Sequence, residues 1–216
     1  MNNKPKPTLS GLYAITDAGL MPGSLLEQKV TAALSGGAQV IQYRDKSDNQ
    51  SQRLQQAKAL VALCNQFQRP LLINDDIALA KQANAHGVHL GQKDGSIAEA
   101  RKQLGEQAII GVTCHDSLQL ALDAQKQGAD YAAFGAFFAS STKPDAKAAP
   151  IQLLHDAHQL LRIPIVAIGG ITVDNALQVI EPGASMVAVI HSLFACDDIE
   201  TRALQFSRLF APADNP

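Results

Sequence analysis

Short apolar runs alternate along the whole chain with longer segments in which apolar residues recur at helical spacing. The runs are rich in Val, Ile, Leu and Ala, as expected for buried strands of a parallel sheet. We expect eight strands: Leu12–Thr16, Val40–Arg44, Leu71–Asn74, Gly87–Leu90, Ile109–Thr113, Tyr131–Gly135, Pro164–Gly169 and Met186–Ile190. Their starts lie about 25 residues apart, which leaves room for one helix and two short loops in each unit.

Capping and stop signals indicate helices between the strands. Ser24, with Glu27 three residues later, predicts a capping box at the start of a helix over Leu25–Ser35. Other helices are predicted after these caps: Asp75 or Asp76 for a helix through Ala83, Ser117 for one through Gln127, and Thr172 or Asp174 for one through Ile180. Eight such β–α units form either a closed barrel or an open doubly wound sheet, and periodicity does not decide between these two.

Three polar side chains share one face at the end of the second predicted strand. They are Gln42, Arg44 and Lys46, whereas a parallel strand covered by helices is normally apolar on both faces. Burying such groups without partners would cost about 2–7 kcal/mol for each neutral group and more for a charge, so a bound ligand is expected. The alternative is that the strand ends early and Arg44 and Lys46 are merely solvated.

Carboxylates follow two neighbouring predicted strands. Asn74, Asp75 and Asp76 end the third strand, and Asp94 follows the fourth. Two carboxylates facing one small volume repel by roughly 4 kcal/mol at 4 Å, and a divalent cation between them removes that repulsion. Oxygen ligands with open positions favour Mg²⁺ shared with substrate phosphates. The alternative is structural, with Asp75 or Asp76 as a helix N-cap and Asp94 in a turn beside Gly95.

Groups that suit anion binding lie at or just after the ends of the last four predicted strands. These groups are Thr113 at the end of the fifth strand, Ser140, Thr142 and Lys143 after the sixth, Gly169 and Gly170 at the end of the seventh, and Ile190 and His191 at the end of the eighth. Hydroxyls, a lysine and glycine amides before a helix can hold a phosphate. Phosphate sites after strands seven and eight are typical of the TIM barrel. The predicted fold is therefore α/β, a single (β/α)₈ TIM barrel.

Composition limits the class of protein further. The chain has 216 residues, of which 46% are hydrophobic and 18% charged, enough for one compact domain. We expect a flexible segment over 1–11 and a TIM-barrel catalytic domain over 12–211. A formal net charge of −2 excludes the broad basic surface of nonspecific nucleic-acid binding. The polar start and the lack of a membrane-spanning apolar run predict a cytoplasmic protein without a membrane partner.

The polar blocks, taken in order, resemble the thiamine-phosphate synthase family, also called the thiamine-phosphate pyrophosphorylase family. The resemblance runs from Tyr13 to about Ser192 and is carried by six blocks: Gln42-x-Arg44-x-Lys46, Asn74-Asp75, Gly87-Val88-His89-Leu90-Gly91-Gln92-x-Asp94, Gly111-x-Thr113-x-His115, Ser140-x-Thr142-Lys143 and Gly169-Gly170. It implies a (β/α)₈ barrel and a Mg²⁺-dependent transferase. The implied reaction moves the 4-amino-2-methylpyrimidin-5-ylmethyl group from its diphosphate to the nitrogen of 4-methyl-5-(2-phosphoethyl)thiazole, giving thiamine monophosphate and diphosphate by a dissociative mechanism.

The resemblance also implies a role for each matching residue. Gln42, Arg44, Lys46 and Asn74 would contact the pyrimidine diphosphate, Asp75 and Asp94 would bind Mg²⁺, Thr113 and Lys143 would meet the diphosphate, and Ser140, Thr142, Gly170, Ile190 and His191 would meet the thiazole phosphate. Arg44, Lys46 and Lys143 are the implied catalytic residues, since cations stabilise the departing diphosphate. The chain departs from the usual pattern at Thr113, where Ser is common, at Ser140, where Thr is common, and at His191-Ser192, where Ser-Ala is common.

Other functions remain open from the sequence. A thiazole tautomerase-like relative would handle the thiazole phosphate without a diphosphate partner. A phosphosugar isomerase or aldolase would need a general base or a Schiff-base lysine inside the barrel, and no strand interior offers such a lysine. A non-catalytic protein that binds thiazole phosphate or thiamine phosphate would release no diphosphate. The sequence leaves the oligomeric state open, with a homo-oligomer among the alternatives.

Overall fold

Eight parallel strands close into a barrel in sequence order. The computed structural model describes residues 6–139 and 148–211, and within them each strand pairs with its neighbour in the chain while the last pairs with the first. The strands are β1 (Gly11–Ile15), β2 (Val40–Tyr43), β3 (Leu71–Asn74), β4 (Gly87–Leu90), β5 (Ile109–His115), β6 (Tyr131–Phe134), β7 (Ile165–Ile168) and β8 (Met186–Val189). The predicted TIM barrel is confirmed, and the open sheet is excluded.

Helices follow the strands and form the outer layer. Their bounds are α1 (Leu25–Ser35), α2 (Gln50–Gln66), α3 (Ile77–Ala83), α4 (Ile97–Leu104), α5 (Leu118–Lys126), α6 (Gln152–Leu160), α7 (Leu177–Ile180), α8 (His191–Phe194) and α9 (Ile199–Arg208). In the part of the chain that the structure describes, no helix has both the length and the apolar composition needed to cross a membrane.

Two of the predicted N-caps are present. Asp76 Oδ1 accepts a hydrogen bond from the Leu79 amide at 2.8 Å, and Ser117 Oγ accepts one from the Leu120 amide at 3.3 Å. These side chains satisfy amide groups that have no partner within the helix. Of the two candidate caps after β3, it is therefore Asp76 that begins α3, which leaves the Asp75 carboxylate free for another role.

Two other capping predictions are wrong. Ser24 has helical backbone angles (φ −70°, ψ −13°) and accepts no capping hydrogen bond, so α1 begins without the predicted capping box. Neither Thr172 nor Asp174 caps α7, which begins only at Leu177. Its approach is instead a turn in which the Thr172 amide donates to Asn175 Oδ1 at 2.9 Å.

The core has two layers, one between the strands and the helices and one inside the barrel. Leu9, which is 6% exposed, belongs to the inner layer, and Lys6 Nζ lies 2.5 Å from Asp130 Oδ1. The described part of the segment before β1 thus contacts the barrel at its amino-terminal end. The flexibility expected of residues 1–11 and the domain bounds 12–211 stay predictions.

Candidate active site

Most of the candidate residues lie at one end of the barrel, where the carboxyl ends of the parallel strands meet. The structure places there Arg44 and Lys46 after β2, Asn74 and Asp75 at the end of β3, Asp94 after β4, Thr113 on β5, Gly170 after β7, and Ile190 and His191 after β8. Gln42 lies on β2 inside the barrel and is 2% exposed. Ser140, Thr142 and Lys143 lie outside the described residues. We call this end of the barrel the rim.

The strand β2 ends one residue earlier than predicted. Tyr43 is its last residue, and the Arg44 amide donates to Thr16 Oγ1 at 2.9 Å, which replaces the next ladder hydrogen bond. Alternation along the strand therefore does not extend to Arg44 and Lys46. The two cations still approach the rim, since Arg44 Nη1 lies 3.8 Å from Asp17 Oδ2 and Lys46 Nζ lies 3.9 Å from Asp75 Oδ2.

Asp75 and Asp94 form the centre of the candidate site. Asp75 has a left-handed backbone (φ 63°), a conformation that Asp tolerates better than most residues. Its carboxylate accepts a hydrogen bond from Asn74 Nδ2 at 2.6 Å. Asp94 Oδ2 accepts one from the Gly91 amide at 3.1 Å. Burial raises the pKa of Asp75, and the neighbouring Asp94 carboxylate raises it further. Burial removes water from the ionised carboxylate and Asp94 repels its negative charge, so both disfavour the ionised form of Asp75.

Gly91 allows these two carboxylates to approach each other. A Cβ built on this glycine would overlap Asp94 Oδ2 and would lie 3.9 Å from Asp75 Oδ1. Any side chain at this position would therefore push Asp94 away. This close contact explains why the residue that follows β4, three positions before Asp94, is a glycine.

The donor set suits a hard divalent cation. Asp75 and Asp94 offer carboxylate oxygens, and within residues 6–139 and 148–211 no group of three or more His, Cys, Asp or Glu is arranged to hold a metal. Asp76 does not contribute a third ligand because it caps α3 and lies 2.9 Å from Arg53 Nη2. Two carboxylates with the remaining positions open are typical of a cation that keeps its waters or binds substrate oxygens.

Relief of the repulsion between the two carboxylates should stabilise the cation-free protein. The raised pKa of Asp75 means that its ionised form is less favourable in the folded than in the unfolded chain, so stability is lost as pH rises through that pKa. We expect Asp75→Asn to raise the Tm at pH 8 without divalent cations by roughly 2–4 °C, the equivalent of about 1 kcal/mol. At pH 3 the difference should disappear. Differential scanning calorimetry measures it, with Asp48→Asn, an exposed carboxylate of the same cleft, as control; a lower Tm for Asp75→Asn at pH 8 contradicts the explanation.

An open cleft of about 620 Å³ lies beside the two carboxylates. Its lining includes Lys46, Lys93, Asn74, Asp75 and Asp94. This volume falls within the range of small-molecule sites. The cleft can therefore hold an anionic ligand beside Lys46 and a cation on the carboxylates.

A chain of buried hydrogen bonds crosses the barrel interior beneath the rim. Gln42 Nε2 donates to Tyr13 Oη at 2.6 Å, and Tyr13 Oη lies 2.8 Å from Tyr131 Oη. His89 Nδ1 lies 2.8 Å from Tyr131 Oη, and His89 Nε2 lies 2.8 Å from Thr113 Oγ1. We call these five residues the interior chain. Burial lowers the pKa of His89 to about 4, against the opposing effect of Asp94, so the ring is neutral at physiological pH.

The glycines after β7 fit a close approach of two loops. Gly170 has φ 64°, and a Cβ built on it would overlap the carbonyl oxygens of Phe138 and Ala139. The Phe138 amide donates to the Gly169 carbonyl at 3.0 Å. The turn after β7 is therefore packed against the start of the segment that leads to Ser140.

At the end of β8 the two residues that depart from the usual pattern differ in their availability. Ser192 Oγ donates to the Ile171 carbonyl at 2.6 Å, so this hydroxyl is already engaged. His191 is exposed at the first position of α8. Of the two side chains, the imidazole is the one available to a ligand.

Comparison with known proteins decides the family. The family described as "Thiamine monophosphate synthase" matches this chain over residues 12–193. The chain belongs to that family. A thiamine-phosphate synthase of Saccharophagus degradans is 57% identical over 193 residues, 89% of each chain, and one of Nitrosococcus oceani is 52% identical over 203 residues, 94% of each chain. The solved structure of thiamine phosphate pyrophosphorylase from Pyrococcus furiosus is 33% identical, covers 92% of this chain and 94% of its own, and superposes with a TM-score of 0.83.

Family membership confirms the resemblance and the interpretation of the chain as an enzyme that transfers the pyrimidinylmethyl group. The roles of individual residues stay predictions. Sequence reasoning missed Tyr13, Tyr131 and His89 as members of the site. The available signal was that all three are polar residues within strands whose other residues are almost all apolar.

Proposed function

We propose that the rim joins 4-amino-2-methyl-5-hydroxymethylpyrimidine diphosphate to 4-methyl-5-(2-phosphoethyl)thiazole, giving thiamine monophosphate and diphosphate. The observation that carries the proposal is the facing pair Asp75 and Asp94 with a lysine beside it, at the strand ends of a member of the thiamine monophosphate synthase family. Such a pair suits a reaction in which a polyphosphate leaves together with a cation.

Asp75 and Asp94 would hold Mg²⁺, the hard cation whose preference for carboxylates, waters and substrate phosphate oxygens fits this donor set. Magnesium bound there supplies Lewis-acid stabilisation of negative charge on the diphosphate oxygens. Asn74 orients the Asp75 carboxylate through its 2.6 Å hydrogen bond. The carboxylates also fix where the leaving group lies relative to the cations of the rim.

Lys46 and Arg44 bind the same leaving group from the β2 side. The Lys46 side chain is 64% exposed and its distance to Asp75 is 3.9 Å, so it can turn toward an anion in the cleft. Arg44 is about one-third exposed and is oriented by Asp17. Both cations stabilise charge that grows as the carbon–oxygen bond breaks, which lowers the barrier more than it stabilises the bound substrate.

The acceptor is held by its own phosphate on the opposite side of the rim. The Gly170 turn and His191 supply an amide and an imidazole at that side, and Ser140 and Thr142 complete the proposed anchor. The electron-rich aminopyrimidine stabilises the positive methylene, and the thiazole nitrogen then attacks it. No protein nucleophile takes part.

Within the cell we place this reaction in the cytoplasm, without a membrane or nucleic-acid partner; the oligomeric state stays open.

The role proposed for Lys46 differs from that of another lysine in the same cleft. We expect Lys46→Ala to lower kcat by on the order of 10², as for loss of one charged donor to a transition-state anion. Lys93→Ala, which also removes a cation from the cleft lining, should change kcat less than about twofold. Only the weak, solvent-screened attraction between one exposed positive charge and the anion is lost. Steady-state kinetics at saturating substrates compares the two variants. Equal losses of kcat in the two variants would show that Lys46 supplies only nonspecific electrostatic attraction and does not contact the leaving group.

Incubation of the purified protein with both half-molecules and Mg²⁺ tests the proposed function. Thiamine monophosphate and diphosphate should appear in equal amounts, and omission of either half-molecule should abolish thiamine monophosphate. Binding of the thiazole phosphate without diphosphate release would instead indicate a sensor. Conversion of the thiazole alone would indicate a tautomerase-like enzyme.

A further inference from the structure

The interior chain joins five residues from five different strands by four hydrogen bonds. It begins at Gln42 on β2, passes through Tyr13 and Tyr131 on β1 and β6, and continues through His89 on β4 to Thr113 on β5. All are buried except Thr113, which is partly exposed. The interior chain thus connects Gln42, inside the barrel, to the Thr113 hydroxyl at the rim.

The direction of these hydrogen bonds follows from a count of hydrogen atoms. Three contacts separate Gln42 from His89 Nδ1, and each needs one hydrogen. The Gln42 amide nitrogen, which only donates, supplies one of them, and the hydroxyls of Tyr13 and Tyr131 supply the other two. Nδ1 therefore supplies none and accepts from Tyr131. The imidazole is neutral, and its single N–H is on Nε2.

The same direction continues to Thr113. Because Nε2 carries the hydrogen, it donates to Thr113 Oγ1, 2.8 Å away. The hydroxyl of Thr113 is then an acceptor toward the interior, and its own hydrogen is free to point elsewhere. An anionic oxygen at the rim is the partner that such a hydroxyl suits.

We infer that Tyr13, Tyr131 and His89 are positioning residues that make Thr113 a hydrogen-bond donor to a substrate phosphate oxygen. The inference rests on the proposed function for the identity of that oxygen. If every hydrogen bond of the interior chain had the opposite direction, the Thr113 hydroxyl would donate its hydrogen to His89. It would then present only lone pairs to the anion. Gln42, at the far end, sets the direction.

Gly111 shows that the barrel wall is shaped around this chain. It lies two residues before Thr113 on β5, and a Cβ built on it would overlap the ring and the hydroxyl of Tyr131. The Tyr131 ring also stacks on His89, with centroids 5.6 Å apart and planes 17° from parallel, and meets Tyr13 edge-on at 5.9 Å. The two rings next to the central phenol are thereby fixed in orientation.

The tautomer of His89 tests the inference without substrate. Long-range ¹H–¹⁵N correlation spectra of protein labelled with ¹⁵N-histidine show which ring nitrogen carries the hydrogen, and His89→Gln identifies the resonances among the six histidines. We expect a neutral His89 with hydrogen on Nε2 at pH 7. Hydrogen on Nδ1, or on both nitrogens, overturns the inference, whether or not the protein releases diphosphate.

A double-mutant cycle tests whether Tyr131 acts through Thr113. Tyr131→Phe should lower kcat by about 3–10-fold, the effect of one hydrogen bond, but less than about twofold when Thr113→Val is already present. Tyr43→Phe is the matched control, since Tyr43 donates to Gln56 outside the interior chain, and its effect should be the same in both backgrounds. Equal effects of Tyr131→Phe in both backgrounds would reduce Tyr131 to a packing role. If Tyr131→Phe fails to fold, the wild-type tautomer alone decides the inference.

Discussion

Lys143→Ala is expected to lower kcat by on the order of 10²–10³ while the protein stays folded. The reason is that the resemblance implies contact between this lysine and the leaving diphosphate, and loss of a single donor to a developing oxyanion has an effect of that size. Because the interaction strengthens as the bond breaks, KM should change much less than kcat. Steady-state kinetics at saturating concentrations of both substrates measures the effect.

Lys147 provides the matched control for that prediction, since it is a lysine four residues later in the same segment. Lys147→Ala should leave kcat within about twofold of the wild-type value, since this lysine lies outside the block Ser140-x-Thr142-Lys143 that carries the resemblance. Near wild-type turnover of Lys143→Ala at saturating substrate would refute its role at the leaving group.

The second large effect concerns the metal ligands. Asp94→Asn should raise the Mg²⁺ concentration for half-maximal activity by on the order of 10²-fold, which corresponds to roughly 3 kcal/mol. The effect follows from loss of one of the two carboxylate charges that face the cation. A titration of activity against Mg²⁺ measures it directly.

Asp116→Asn is the control for the metal titration. Asp116 is an exposed carboxylate that directly follows β5, and it is not a member of the Asp75–Asp94 pair. Its titration curve should coincide with that of the wild type. An unchanged curve for Asp94→Asn would remove Asp94 from the metal site.

The order of the strands could be predicted because each strand of a (β/α)₈ barrel is visible in the sequence as a short apolar run followed by a segment with helical spacing. β3 and β4 begin and end at the predicted residues, since polar or turn-forming residues border them, Pro70 and Asp75 for β3 and His86 and Gly91 for β4. The end of β2 was misplaced because Thr16, a residue 28 positions away in the chain, takes the Arg44 amide. The beginning of α7 was misplaced for a similar reason, a side-chain turn at Asn175 that competes with helical capping.

The candidate site was predictable where it consists of polar residues after strands. Asp75 and Asp94 could be paired from their positions alone, and the structure places both carboxylates next to Gly91. The interior chain could not be predicted in this way, because its residues come from five strands and its meaning depends on which atoms face each other. A tyrosine or histidine within a strand is compatible with simple packing until those contacts are known.

A crystal structure with Mn²⁺, as a detectable substitute for Mg²⁺, and with diphosphate tests the central claim most directly. We expect the metal between the carboxylates of Asp75 and Asp94, with the diphosphate bridging it to Arg44, Lys46 and Lys143. Anomalous scattering locates the metal independently of the diphosphate. Metal or diphosphate bound away from this end of the barrel, with Asp75 and Asp94 still in contact only with each other and their neighbours, would contradict it.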